Sequence, residues 1–104
     1  MYRISFKMFL KHGFQEEYKR RHDELWPELK ELLKKNEISN YNIFLDKDKN
    51  ELFAFLHVNS KSNLSNLKSN KVMKKWWYFM SDIMECNKDK SPKTIELKQV
   101  FFLE

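Results

Sequence analysis

The sequence contains few of the residues that break or cross-link a chain. Among its 104 residues there are one glycine, two prolines and one cysteine. Since a disulfide needs two cysteines, Cys86 can form none within the chain. The three histidines lie far apart, and no Cys/His cluster has the spacing of a zinc site. We therefore expect neither a disulfide scaffold nor a metal centre.

Long apolar runs are absent as well. A helix that crosses a bilayer needs about 20 consecutive apolar residues, and no stretch of this sequence approaches that length. The N-terminal segment alternates polar and apolar residues, unlike a signal peptide. Together with the single cysteine, these features favour a cytoplasmic protein that does not enter membranes.

The positive charge is not concentrated anywhere in the sequence. Twenty Lys and Arg against fifteen Asp and Glu give a formal net charge of +5. Nucleic-acid binding is one interpretation of this excess. The basic residues are scattered, however, without a basic stripe or a binding motif. A solvated, lysine-rich surface is therefore the favoured interpretation, and we expect no nucleic acid partner.

Aromatic residues, in contrast, are abundant. The chain has nine Phe, four Tyr and three Trp. Its length suits one domain spanning residues 1–104, and large rings help a small domain to build a core. Rings also line binding pockets, so composition alone does not separate the two uses.

Hydrophobic periodicity predicts the first elements. From Tyr2 to Leu10 every even position is apolar, which is typical of a strand with one buried face. Gly13 marks a turn, and a helical pattern follows from Gln15 to Lys35. Proline cannot donate a hydrogen bond inside a helix, so the helix either kinks at Pro27 or a second helix begins there.

The remaining pattern predicts a hairpin, two helices and a last strand. The hairpin strands are Ser39–Asp46 and Glu51–Asn59; a short helix around Leu64 and Leu67, a longer helix over Val72–Met84 and a strand over Ile95–Leu103 follow. The resulting β-α-β-β-α-β order indicates an α+β domain of ferredoxin-like fold. Such a fold has a four-stranded antiparallel sheet with its helices on one face.

The third strand is apolar on both faces, with Phe53 and Phe55 opposite Leu52 and Ala54. Helices cover only one side of such a sheet, and a large exposed apolar patch usually marks an interface. We therefore expect a two-fold homodimer, packed sheet to sheet or with the open face serving as a pocket.

His22 is the main candidate for chemistry. It shares a helix face with Tyr18, Leu25 and Trp26, and its unperturbed pKa lies near physiological pH. A lone histidine on an apolar helix face is more often a hydrogen-bonded packing residue. The alternative is a proton donor beside aromatic surface, which is what opening of a sugar ring requires.

Other candidates are aromatic. The ring of Tyr41 either belongs to the core or offers its hydroxyl to a ligand. Neighbours on a helix point about 100° apart. Trp76 therefore fits the apolar face that the predicted helix over Val72–Met84 would bury, and Trp77 falls on the edge of that face, where a ring often meets a ligand. Arg20 and Arg21 are expected to form a solvated flank, since no phosphate-binding loop accompanies them. These residues alone do not name a substrate.

Nearly the whole chain resembles the L-rhamnose mutarotases, at consistent spacing. The Tyr-x-Arg-Arg-His…Trp-Pro and Trp-Trp elements together are quite specific. The matching segments are residues 17–22, 26–29, 40–46, 52–54, 76–77, 80–84, 91–92, 96–97 and 100–103.

The resemblance implies a dimeric α+β barrel that exchanges the α and β anomers of L-rhamnose without a metal or organic cofactor. It also implies that His22 is the proton donor and that Tyr18, Tyr41, Trp76 and Trp77 contact the sugar. All five positions carry the family's residue. A haem-binding or cofactor-free monooxygenase is the alternative, because such dimers share this fold and a fold does not determine a function.

Overall fold

Residues 1–104 are described by a computed structural model, in which helices and strands alternate around one sheet. The strand order is β2-β3-β1-β4 and every pairing is antiparallel. The predicted α+β ferredoxin-like arrangement is therefore confirmed, and each crossover contains two helices. The elements are β1 (Tyr2–Phe9), α1 (Gln15–Asp23), α2 (Pro27–Lys35), β2 (Ile38–Asp46), β3 (Glu51–Val58), α3 (Lys61–Ser69), α4 (Lys71–Met80) and β4 (Ile95–Leu97).

The core lies between the helices and one face of the sheet. On β3 the side chains that face the helices are all buried, and they alternate with half-buried ones that face away. Their partners on β1 are the even positions: Phe6 lies opposite Ala54, and Met8 lies opposite Leu52. The two-residue alternation of the sequence thus becomes one buried face and one open face of the sheet.

The first helical region divides at Pro27, as the second of the two predicted alternatives requires. Trp26 has ψ 132°, an extended conformation, which the ring of a following proline favours. Pro27 then occupies the first turn of α2, where its missing N–H costs no intrahelical hydrogen bond. The proline therefore separates α1 from α2 and fixes Trp26 between them.

The C-terminal end of α4 lies earlier than predicted, at Met80 instead of Met84. The next residues bond to the end of β1 instead of continuing the helix. The N–H of Lys11 donates to the carbonyl of Ile83 at 2.9 Å, and the N–H of Glu85 donates to the carbonyl of Phe9 at 3.0 Å. Helical periodicity continues through Ile83 because that side chain is fully buried, although its backbone is not helical.

The last predicted strand was also too long. It pairs with β1 only over Ile95–Leu97, and residues 98–104 have no regular structure. This segment contains four consecutive apolar residues, 100–103, rather than an alternation, so no single face could be buried against one sheet. Three of these, Val100, Phe101 and Leu103, are strongly exposed.

The sheet's other face carries apolar groups that no helix covers. Phe44 pairs with Phe53 across β2 and β3 and is 66% exposed, and Ile95 is also exposed. We call Phe44, Phe53, Phe55 and Ile95 the open face. Separately, no helix combines the length and apolar character needed to cross a membrane.

Leu29 provides a test of how α2 is held. Its side chain is 2% exposed and belongs to the main core cluster. Leu29→Ala should lower the free energy of unfolding by about 2–5 kcal/mol, because the cavity adds to the lost burial. Denaturant unfolding at a fixed protein concentration measures the change. The neighbouring Lys30→Ala variant is the control and should stay within about 0.5 kcal/mol, since Lys30 is exposed. Equal effects of the two substitutions would contradict the assigned core.

Candidate active site

Helix α1 places Tyr18 and His22 one turn apart on its inner face. Their ring centroids are 4.3 Å apart with an angle of 30° between the planes. The imidazole Nδ1 lies 3.0 Å from the carbonyl oxygen of Tyr18. Because a carbonyl can only accept, Nδ1 must carry the hydrogen of this bond. The bond therefore leaves Nε2 as the ring nitrogen that can exchange a proton with a ligand.

Partial burial controls the acidity of His22. Desolvation lowers the pKa of the imidazole below its ordinary value of 6.5, and the hydrogen bond to the Tyr18 carbonyl opposes this shift. Burial disfavours the charged form of histidine, so the lowered pKa follows from the half-buried position. The neutral form that burial favours is the Nδ1–H tautomer, because Nδ1 carries the hydrogen of the bond to the Tyr18 carbonyl.

Trp76 on α4 completes the aromatic surroundings of His22. The edge contact between the two rings has a centroid distance of 5.4 Å and an angle of 89°. Trp76 is 5% exposed, and Trp26 packs against it at 5.1 Å, also edge to face. Phe79 contacts both tryptophans, at 5.4 Å from Trp26 and 5.7 Å from Trp76. These contacts hold Trp76 in a fixed orientation against the imidazole.

Two members of this aromatic cluster were not singled out in the sequence. Trp26 lies on the same predicted helix face as His22, so its position was visible as packing but not as part of the site. Phe79 follows Trp76 by three residues, which is a helical neighbour spacing. No sequence signal separates either ring from an ordinary core residue.

Trp77 lies beside the cluster and not within it. It is half-buried and packs against the main core cluster. Its ring forms no ring–ring pair with His22, whereas the ring of Trp76 does. The structure thus places His22 in contact with both Tyr18 and Trp76 and leaves the half-buried Trp77 outside this group.

Tyr41 approaches Tyr18 from the sheet. The pairing of β2 with β3 is irregular between Ser39 and Asn42, and Asn40 has a positive φ of 47°. Asparagine tolerates this left-handed conformation better than most residues. Tyr41 follows it directly, within the irregular segment, so its side-chain direction does not follow from simple strand alternation.

Both phenols keep their protons at neutral pH. Crowding of the hydroxyl by protein raises the pKa of Tyr41 to about 12, although 39% of the residue is exposed. Burial, and then the proximity of Tyr41, raise the pKa of Tyr18 further above its ordinary value of 10. The two hydroxyls are therefore hydrogen-bonding groups and not bases in this pH range.

The prediction of a solvated flank was correct for Arg20 and wrong for Arg21. The Arg20 side chain is 56% exposed, whereas that of Arg21 is 10% exposed. Arg21 reaches across to the end of α4 and pairs with Asp82. Together the two arginines lower the pKa of Glu17 to about 2 through hydrogen bonds. Spacing along the sequence gave no hint of the contact with Asp82.

Two open grooves lie elsewhere on the surface. One open groove of about 490 Å³ lies between α2 and the start of α4, and another of about 370 Å³ runs along the polar face of α1. Neither includes His22, and both are lined mostly by charged or polar side chains. No three His, Cys, Asp or Glu side chains are grouped so that they could hold a metal ion.

The fold and the site define a ferredoxin-like α+β protein with one half-buried histidine set between a phenol and an indole. The family model described as L-rhamnose mutarotase matches residues 3–103. The chain therefore belongs to the L-rhamnose mutarotase family.

Individual relatives agree over their full length. An L-rhamnose mutarotase of Formosa agariphila is 51% identical over 104 residues, covering 100% of both chains. One from Bacteroides thetaiotaomicron is 46% identical with the same coverage. The crystal structure of the Formosa agariphila L-rhamnose mutarotase superposes with a TM-score of 0.93 and covers 100% of both chains. An antibiotic biosynthesis monooxygenase matches with a TM-score of 0.54 at 14% identity, which reflects the shared fold alone.

The burial of His22 can be tested by its titration. The pKa of His22 should lie below about 6.5, the value of an unperturbed histidine. Proton NMR of the imidazole resonances against pH measures it, and a His22→Asn variant identifies the resonance by its loss. The same shift predicts that the unfolded chain binds more protons at this group near pH 6, so protonation of His22 destabilises the fold as the pH falls. A pKa at or above 6.5 would show that the ring is well solvated.

Proposed function

We propose that this chain interconverts the α and β anomers of L-rhamnose by opening and reclosing the sugar ring. Membership in the L-rhamnose mutarotase family supports the reaction. The observation that carries the mechanism is the orientation of His22. Its Nδ1 is bonded to the helix backbone, its Nε2 is left free, and the ring lies between Tyr18 and Trp76.

His22 acts as the general acid in this proposal. Its protonated Nε2 donates to the ring oxygen while the bond from that oxygen to the anomeric carbon breaks. The anomeric hydroxyl loses its proton, which leaves an open-chain aldehyde. Rotation about one bond presents the other face of the carbonyl, and the reverse steps return the proton to His22. The lowered pKa makes the protonated imidazole a stronger acid, although a smaller fraction carries the proton.

The phenols narrow the choice of group that receives the proton of the anomeric hydroxyl. Candidates are Tyr18, Tyr41 or a water that they hold. Since both phenols have a raised pKa, each hydroxyl keeps its own proton at neutral pH. A water molecule oriented by the two hydroxyls is therefore the proposed acceptor, and Tyr18 and Tyr41 bind the sugar's oxygens.

The aromatic side chains suit a 6-deoxy sugar. L-rhamnose carries a methyl group and an apolar ring face, which favour aromatic walls. Tyr41 and Trp77 keep exposed surface and are the proposed principal contacts. Trp76 is buried and packs against Trp26, so it contributes an edge and supports His22. Because the sugar is neutral, the net charge of +5 has no part in its capture.

A homodimer in the cytoplasm is the proposed state of the enzyme. The open face and the C-terminal residues 98–104 expose apolar groups that a monomer would leave in water. A second copy of the same sheet would remove them from water. The cytoplasmic location is supported by the single unpaired cysteine and stays a prediction.

Exchange NMR on the anomeric protons of L-rhamnose tests the reaction directly. Wild-type protein should accelerate the exchange, and His22→Ala should reduce kcat by about 10²- to 10⁴-fold, the usual contribution of a general acid. His12→Ala is the control and should leave the rate unchanged, because His12 is exposed in the turn before α1.

The pH dependence separates two roles of the imidazole. If His22 is the acid, kcat rises as the pH falls toward its pKa, while a base would give the opposite slope. No acceleration by the folded wild-type protein would reject the function. Full activity of His22→Ala would reject only the role of His22.

The dimer is tested by light scattering at micromolar concentration. The wild-type protein should have a mass near twice the 12.9 kDa of one chain. Phe44→Asp places a charge on the open face and should shift the population to monomer. Tyr78→Asp is the matched control, since Tyr78 is an equally exposed aromatic residue on α4. A monomeric wild-type protein would remove the proposed dimer without touching the site.

A further inference from the structure

We propose that Arg21 is a positioning residue that ties α1 to the end of α4 and so holds His22 against Trp76. The inference rests on the proposed function for its effect on catalysis. The contacts that Arg21 makes, and their effect on His22, can be examined even if the proposed reaction is not observed.

The guanidinium of Arg21 donates four hydrogen bonds, from all three of its nitrogens. Nη1 donates to the carbonyl of Phe79 at 2.8 Å and to Asp82 Oδ1 at 2.9 Å. Nη2 donates to Asp82 Oδ2 at 3.2 Å, and Nε donates to Glu17 Oε2 at 2.7 Å. One side chain thus bonds its own helix, the last turn of α4 and the residues that follow it. A planar, two-pronged donor is needed for this set, which lysine cannot supply.

The same guanidinium packs on an aromatic ring of the site's outer shell. Its Cζ lies 4.4 Å from the centroid of the Phe79 ring. Phe79 in turn contacts Trp76, and Trp76 contacts His22. Arg21 is also the backbone neighbour of His22. Arg21 is therefore connected to the imidazole in two ways: through the contacts of Phe79 and Trp76, and through the backbone of α1.

Burial makes this pair different from an ordinary surface ion pair. Only 10% of the Arg21 side chain is exposed, and Asp82 is the first cause of its raised pKa. Exposed ion pairs usually contribute little, but a covered guanidinium that bonds a backbone carbonyl and two carboxylates fixes geometry. A catalytic group that moves by about 1 Å can lose about 10²-fold in rate.

Arg20 provides a matched control on the same helix. It also bonds Glu17, and its other partner is Glu24, so all of its ion pairs stay within α1 and the residue that follows it. Its side chain is mostly exposed. Removing Arg20 therefore changes the same net charge and the same Glu17 contact without touching α4.

The experiment compares Arg21→Gln, Arg21→Lys and Arg20→Gln. We expect kcat of Arg21→Gln to fall about 10- to 100-fold, with a smaller change in KM, because the acid is displaced while the sugar contacts remain. The kcat of Arg21→Lys should lie between those of Arg21→Gln and wild type. The kcat of Arg20→Gln should stay within about two-fold of wild type. In the free proteins, the NMR pKa of His22 should move toward that of a solvated histidine in Arg21→Gln and not in Arg20→Gln.

The pKa readout keeps the inference testable if the wild-type protein does not accelerate anomer exchange. An unchanged kcat and His22 pKa in folded Arg21→Gln would overturn the positioning role, as would equal changes in Arg20→Gln. If Arg21→Gln does not fold, Asp82→Asn decides, because Asp82 is 65% exposed and its amide keeps the shape. That variant should shift the same two readouts in the same direction by less, and no shift would overturn the proposal.

Discussion

The hydrogen bond between the imidazole Nδ1 of His22 and the carbonyl of Tyr18 is the interaction on which the site depends. In an α-helix that carbonyl is also the natural partner of the backbone N–H four residues later, which here is the N–H of His22 itself. The helix therefore sets both the orientation of the imidazole ring and the nitrogen that carries its hydrogen. It also aligns the imidazole over the phenol of Tyr18. An unwound α1 would lose the tautomer, the ring contact and the direction of Nε2 at once.

Burial, more than charge, sets the proton affinities within the site. Desolvation lowers the pKa of His22 and raises the pKa of Tyr18 and Tyr41. The ion pairs have a different location and a different effect. Arg21 and its carboxylate partners lie behind the aromatic cluster and join elements. Such a division suits a neutral substrate, since a charge beside the sugar would gain little from it.

Local patterns in the sequence predicted most of the fold. The errors of prediction arose where contacts between distant residues decide the structure. Alternation predicted the strands, and Pro27 predicted the break between helices. The predicted length of the last strand was wrong because Val100 and Phe101 are apolar without alternating. Apolar residues alone do not specify a pairing partner. The prediction that Arg21 is solvated was wrong because its partner Asp82 lies 61 residues away, and no local sequence rule connects the two. His22 and Trp76 could be named as candidates, but their contact is a property of how α1 packs on α4.

Pro27 links the fold to the site. A proline restricts the residue before it to an extended conformation, and Trp26 accordingly leaves the helical path. Had α1 continued through this position, helical geometry would have set the direction of the Trp26 ring. At the break, the ring meets Trp76 edge to face at 5.1 Å and also contacts Phe79. Trp26 thereby covers Trp76 from one side while the imidazole contacts it at 5.4 Å. A local backbone restriction thus contributes to holding the indole that borders His22.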